Sequence, residues 1–214
     1  AYKEIYDFCN EDLSMYYLDM VKGRLYTSLA SSLQRKAAQT VLYEVLSCLV
    51  RIISPILVFT AEEIWQNMPK ENKDAGLLSV HLLSWPSPYA LTQQEAAVGG
   101  LLQPVIDLIP VVAKALEQMR ISGVIGSSFD AQINILTKTQ DRYTFLQSFN
   151  VELGEIFKVS QVRVILDQDN SADLSVKVEK AEGSKCLRCW NYSSAVGKSQ
   201  THPLICDNCL KAIS

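Results

Sequence analysis

Apolar positions recur at helical spacing in the first third of the chain. Leu13, Tyr16, Tyr17, Met20 and Val21, continued by Arg24, follow i, i+3, i+4, i+7, i+8 and i+11 and predict one stripe along a helix. Asn10 followed by Glu11 and Asp12 suits the start of that helix, because an oxygen side chain and negative charge satisfy its first N–H groups. A continuous helix from residue 2 fits the pattern equally well. Ala38, Leu42, Val45, Leu46, Leu49, Ile52 and Ile53 form a second helical set. Ser54-Pro55 should end or kink it, since proline disfavours the α conformation in the residue before it. Thr60-Ala-Glu-Glu63 has the capping-box pattern ahead of Ile64 and Trp65, and Met68-Pro69 closes that helix. Residues 1 to about 68 therefore predict an antiparallel helix bundle with short connections.

The pattern then changes. Lys70–Gly76 is polar and turn-like, Ser79–Trp85 reads as a short extended segment, and Pro86-Ser-Pro88 as an irregular turn. Residues 101–120 predict a helix with Pro104 near its start and a kink at Pro110. Residues 131–136, 161–166 and 174–178 alternate as strands do, with helix expected over 141–157. The predicted fold class is mainly α: an antiparallel helix bundle over residues 1–98, a small α+β junction module over 99–180, and a four-cysteine zinc-binding tail over 181–214.

Composition changes the picture only locally. With 48% hydrophobic and 20% charged residues among 214, the chain has ordinary globular chemistry. A net charge of −3 excludes a globally basic nucleic-acid coat but leaves room for a local site. No uninterrupted apolar run reaches the ~18 residues of a membrane span. The start, Ala1-Tyr2-Lys3-Glu4-Ile5, lacks the features of a signal peptide and an initiator Met, so the chain reads as a piece of something longer or as a processed form.

Cysteine placement is more informative. Cys9 and Cys48 stand alone in apolar helical segments and are expected as small buried hydrophobes. Cys186, Cys189, Cys206 and Cys209 form C-x2-C-x16-C-x2-C, the spacing of a structural zinc site. Each C-x-x-C turn points two thiolates at one place, and two turns complete the tetrahedron that one Zn2+ accepts. Four thiolates leave no position for water, so the metal is expected to be structural. A pair of disulfides is the alternative, and His202 is a substitute ligand with a less regular offset. Arg188 and Trp190 flank Cys189 and suit phosphate or base edges and base stacking, or else a solvated charge and a cover for the metal. From Val21 to Tyr43 the charged residues are Lys22, Arg24, Arg35 and Lys36, a positive stretch without acids that suits phosphate or is a solvated helix face. Gly123-Val-Ile-Gly126 matches a bare GxxG loop, which a turn after a helix explains as well. His81 is expected to be structural. No nucleophile elbow, P-loop or H-E-x-x-H motif occurs, and no catalytic residue is assigned.

Several stretches resemble isoleucyl-tRNA synthetases of bacterial type. Phe8–Asp19 with Lys22–Tyr26, Ala38–Leu42 and Pro55–Trp65 look like their anticodon-binding helices. Ser79–Leu82 and Trp85-Pro86 continue the likeness, Ala115–Glu117, Arg120 and Val124–Ser128 resemble the following module, and Lys177–Trp190 resembles the zinc tail. The resemblance implies the carboxy-terminal portion of an ATP-dependent class I ligase that attaches isoleucine to its tRNA. It further implies that the catalytic domain, with its HIGH and KMSKS signatures, and the editing domain lie upstream of Ala1. ATP and Mg2+ would then serve only the full-length enzyme, and this portion would be inactive by itself. The expected partner is the tRNA for isoleucine, held through its anticodon arm by Lys22, Arg24, Arg35, Lys36, Arg188 and Trp190. The expectation includes a cytoplasmic monomer without DNA or membrane contacts. The rivals are a free-standing RNA-binding module and a DNA-glycosylase-type zinc-finger protein, whose amino-terminal Pro-Glu start is absent here.

Overall fold

The computed structural model describes residues 2–70, 76–169 and 172–213. The turn expected over Lys70–Gly76 lies largely outside them. By packing, the chain divides into two compact units, Leu33–Ala96 on one side and Ala1–Ser32 with Ala97–Ser214 on the other. The chain is mainly helical, with a three-stranded sheet and a cysteine cluster towards its end, as expected.

In the second unit, α1 (Tyr2–Asp7), a stretch of widened π-type turns (Phe8–Leu18) and α2 (Asp19–Thr27) run on as one continuous helix. Asn10 lies within it and caps nothing. Widened turns change the angular step between residues, so the stripe expected at the 3.6-residue period breaks up. Of that stripe only Val21 is fully buried, and Cys9 is half-buried rather than core.

In the Leu33–Ala96 unit, α3 (Leu33–Ile53) and α4 (Val58–Asn67) form a hairpin whose turn begins at Ser54-Pro55. Val50, Ala61, Trp65, Met68 and Val80 are its buried core. The capping box expected at Thr60 does not form. The helix already starts at Val58, so Thr60 is inside it. Glu62 instead accepts from Ser79 Oγ at 2.7 Å and from the Val80 N–H at 3.1 Å. These bonds fold the segment expected to be extended into a 3-10 turn over Val80–Leu82, with Val80 seated in the core. The same Thr-x-x-Glu pattern recurs as Thr92-Gln-Gln-Glu95, and there both bonds form, Thr92 N–H to Glu95 and Glu95 N–H to Thr92. Cys48 is exposed, contrary to the expectation of burial, because its position on α3 faces away from α4 and the Val80 turn.

α5 (Gln93–Ile106) and α6 (Ile109–Ile121) are separate helices, with Pro104 well inside α5 and Pro110 in the first turn of α6, where a missing N–H costs nothing. By length and composition the stretch Gln93–Ile121 is apolar enough to cross a membrane, an 18-residue window within it reaching a mean hydropathy of 1.8. Gln103, Asp107 and Lys114 interrupt it, so it contains no long unbroken apolar run. Its Val105, Leu108, Val112 and Leu116 enter the core beneath the sheet. Gly123 at φ 73° then stops the helix, and the Val124 N–H returns to the Met119 carbonyl, so the GxxG segment is a helix stop.

β1 (Ala131–Thr137) is the central strand, parallel to β2 (Gln161–Leu166) and antiparallel to β3 (Leu174–Lys180). Every residue of β1 is buried, so its polar positions do not face water, and Gln132 donates to Asn134 instead. α7 (Gln140–Ser148) and α8 (Asn150–Phe157) make the crossover from β1 to β2. α2 packs on α8.

Candidate metal centre and nucleic-acid interface

Two local structures carry the cysteines. β4 (Ser184–Lys185) and β5 (Tyr192–Ser193) pair antiparallel, and Cys186 to Cys189 lie in the loop between them. Gly183 opens this hairpin at φ 91°, where a Cβ would stand 2.4 Å from the Ser193 carbonyl carbon, so only glycine fits. Cys206 precedes α9 (Asp207–Lys211) and Cys209 lies within it. The four Sγ atoms all fall within 4.8 Å of one another, and Cys189 and Cys206 are 3.7 Å apart. Four thiolates at the usual Zn–S length of about 2.3 Å would stand about 3.8 Å apart, so the cluster fits that ion. No disulfide links these cysteines, and among the described residues the cluster contains no histidine. His202 is exposed, its backbone N–H bonded to Ser199 Oγ.

The cluster's electrostatics divide its thiols, favouring the anion at Cys186 and the protonated form at Cys189 and Cys209. Burial raises the Cys186 thiol, but backbone N–H groups of Cys189, Cys206 and Arg188 outweigh it and bring the pKa down to about 6. The Cys206 N–H donates to Cys186 Sγ at 3.3 Å. Burial pushes the Cys189 and Cys209 thiols up. A divalent cation would replace the protons that burial holds there.

Arg188 and Trp190 diverge from this hairpin. The Arg188 guanidinium donates to the Thr27 carbonyl at 2.5 Å and to that of Tyr26 at 3.4 Å, at the carbonyl end of α2 where a cation is favoured. It also helps to hold the Cys209 thiol down against burial. Arg188 thus ties the metal loop to α2. Trp190 is 60% exposed, with its backbone at φ 67° and its N–H bonded to the Cys186 carbonyl. The Lys185 ammonium sits 5.8 Å from its ring centroid. No local pattern in the sequence marks that cationic neighbour, because only the pairing of β4 with β5 brings it back beside the ring.

The positive stretch is divided between the two units. Lys22 pairs with Asp19 at 2.6 Å and Arg24 with Glu155 at 2.6 Å, both on α2. Asp19 also takes the Lys158 ammonium. Burial works to raise the Asp19 carboxyl, but the two lysines hold it below its ordinary value. Arg35 and Lys36 lie on α3, in the other unit.

The anticodon-binding domain of tRNA ligases matches residues 1–136, and the zinc finger found in FPG and IleRS matches residues 183–212. Among curated proteins the chain is similar to the isoleucine–tRNA ligase of Syntrophotalea carbinolica, 38% identical over 222 residues covering 100% of this chain. That of Caldicellulosiruptor bescii is 39% identical over 213 residues, also covering 100% of the chain. That of Fervidobacterium nodosum is 38% identical over 218 residues, covering 97%. The chain spans about 23% of the length of each of these relatives. A match that runs through both helical segments to the central strand settles its kinship: the chain belongs to the anticodon-binding domain family of the tRNA ligases.

Proposed function

We propose that this chain is the tRNA-reading portion of a class I isoleucine–tRNA ligase, holding the anticodon arm of the tRNA for isoleucine while the attachment chemistry, with its ATP and Mg2+, occurs on other parts of the enzyme. The observation that carries this reading is the conjunction, in one chain, of the anticodon-binding match with a finger match that contains an exposed tryptophan, Trp190. One structural Zn2+ held by Cys186, Cys189, Cys206 and Cys209 would fix the finger. Trp190 offers its ring to an unpaired base, and Lys22, Arg24, Arg35 and Lys36 supply positive charge to phosphates. Arg188 contributes by holding the finger on α2. The functional division follows residues 1–98, 99–180 and 181–214, in a cytoplasmic monomer that contacts no DNA and catalyses nothing without the rest of the enzyme.

The test is binding of tRNA bearing the isoleucine anticodon, against a tRNA with another anticodon, by the full chain and in the full-length ligase. Replacing Trp190 with Ala should cost ~1–3 kcal/mol and narrow the gap between the two tRNAs. Replacing Lys36 should weaken both equally and reduce the salt slope by ~0.7–0.9. A Trp190→Ala protein that keeps its zinc, its affinity and its preference would show the ring to be a cover for the metal.

A further inference from the structure

The four cysteines of the cluster differ in their access to solvent. Cys186, Cys206 and Cys209 are buried, and Cys189 alone is half-exposed. Cys189 Sγ stands 3.7 Å from Cys206 Sγ. That contact joins the two halves of the cluster, because Cys189 belongs to the β4–β5 loop and Cys206 to the start of α9. The other sulfur of the loop is held in place. The Cys186 N–H donates to the Asn191 carbonyl at 2.9 Å, its carbonyl accepts the Trp190 N–H at 2.9 Å, and its sulfur accepts the Cys206 N–H at 3.3 Å. Drawing Cys186 Sγ towards Cys189 would break that last bond. Cys206 Sγ accepts no N–H among the described residues, so it can close on Cys189 without such a loss.

We propose that Cys189 and Cys206 are a redox pair: hydrogen peroxide oxidises them to a disulfide that releases the zinc and takes over its task of joining the hairpin to α9. The inference rests on the structural-zinc reading above, in which the metal keeps the sulfurs as thiolates, the reactive form. The accessible Cys189 thiolate attacks one peroxide oxygen, the O–O bond breaks, and hydroxide leaves, so that Cys189 becomes a sulfenic acid. The Cys206 thiolate then attacks the Cys189 sulfur and expels its hydroxyl as a second hydroxide. Two thiolates have given up two electrons, and the peroxide has taken them. Cys186 and Cys209 remain, which is half of a tetrahedral ligand set, and the metal is lost. The new bond links residues 17 positions apart and restricts the metal-free finger, which therefore stays folded. A thiol reductant reopens the site for zinc.

The experiment uses the reduced full chain carrying Cys9→Ser and Cys48→Ser, which removes the two thiols outside the cluster. Zinc content is measured first. Hydrogen peroxide is then added in small steps while a zinc dye too weak to strip the reduced chain reports released metal. Free thiols are counted, and disulfides are located by mass spectrometry of unreduced peptides. About one zinc should appear for every two thiols lost. The peptide holding Cys189 should be joined to the one holding Cys206, and dimedone present during oxidation should label Cys189 first. Amides of residues 184–211 should keep most of their protection from exchange in the oxidised chain and lose it when the reduced chain is chelated. Dithiothreitol with added zinc should restore the starting state.

Bonds formed mainly as 186–189 or 206–209 overturn the proposal, as does a first dimedone label on any of the other three cysteines. So does thiol loss without zinc release, or an oxidised finger as open as the chelated one. A reduced chain that holds no zinc before peroxide is added sinks the metal reading instead, and the crosslink is then decided by the disulfide map alone.

Discussion

Trp190 occupies a backbone conformation in which a bulky side chain crowds the following carbonyl, at a cost of roughly 1–2 kcal/mol. The turn between Cys186 and Asn191 imposes it, because the Trp190 N–H must reach the Cys186 carbonyl. Trp190→Gly is therefore expected to tighten the finger while removing the ring. Chelator competition should show zinc retained at least as well as in the parent, with RNA affinity reduced. Gly183 is the opposite case. Gly183→Ala drives a methyl group into the backbone at Ser193 and Ser194, so the β4–β5 hairpin cannot close. Zinc should be lost at chelator concentrations the parent withstands. Of these two positions the sequence revealed only one. Trp190 stands beside a Cys-x-x-Cys turn, whose spacing is a local signal. Gly183 has no neighbour in sequence that marks the backbone it approaches.

At the scale of the element, α2 is held by charge as much as by packing, since only Val21 is buried while Asp19 and Arg24 pair with Lys158 and Glu155. Asp19 has a folded pKa below its ordinary value of 3.8. Its contribution to stability is therefore present above that value and lost as pH falls through the lower folded one. Asp19→Asn should lower the melting temperature at pH 7. The gap between variant and parent should close as the pH drops below 3.8. Arg188→Ala should loosen the finger from α2, with faster amide exchange at Tyr26 and Thr27 and zinc still bound, while Arg188→Lys restores charge but not the two-carbonyl grip. Periodicity made α3 and the three strands legible. It failed for residues 8–18, whose widened turns have another period, and the capping box it placed at Thr60 forms at Thr92 instead. Both head a Thr-x-x-Glu pattern, and only at Thr92 does the chain leave the residue free to cap.

For the whole molecule, the boundary expected at residue 98 separates α2 from α8, its packing partner. A chain ending there should keep a cooperative core around Trp65, Val50 and Val80, while the amides of residues 19–27 lose protection from exchange. Chelation of the full chain should act at the other end. The amides of residues 184–211 should become exposed, and the β1–β2–β3 core should melt almost unchanged, because its buried apolar cluster contains none of the cysteines. The units were not legible as such because the pairs that define them, Arg24 with Glu155 and Asp19 with Lys158, join residues 131 and 139 positions apart. Windowed patterns do not register such distances.

That separation also bears on how the protein is made. A ribosome adding about 5–20 residues per second releases α2 well before α8 exists, an interval of roughly ten seconds. Throughout it Arg24 on the helix that ends at Thr27 lacks Glu155, Asp19 has only Lys22, and the apolar Val21 side is without cover. The intervening Leu33–Ala96 segment has its own core and can close during that wait. Within this stretch of chain the order of folding in synthesis is thus middle first and flanks last, and the exposed helix ending at Thr27 is where a ribosome-associated chaperone would be expected to bind.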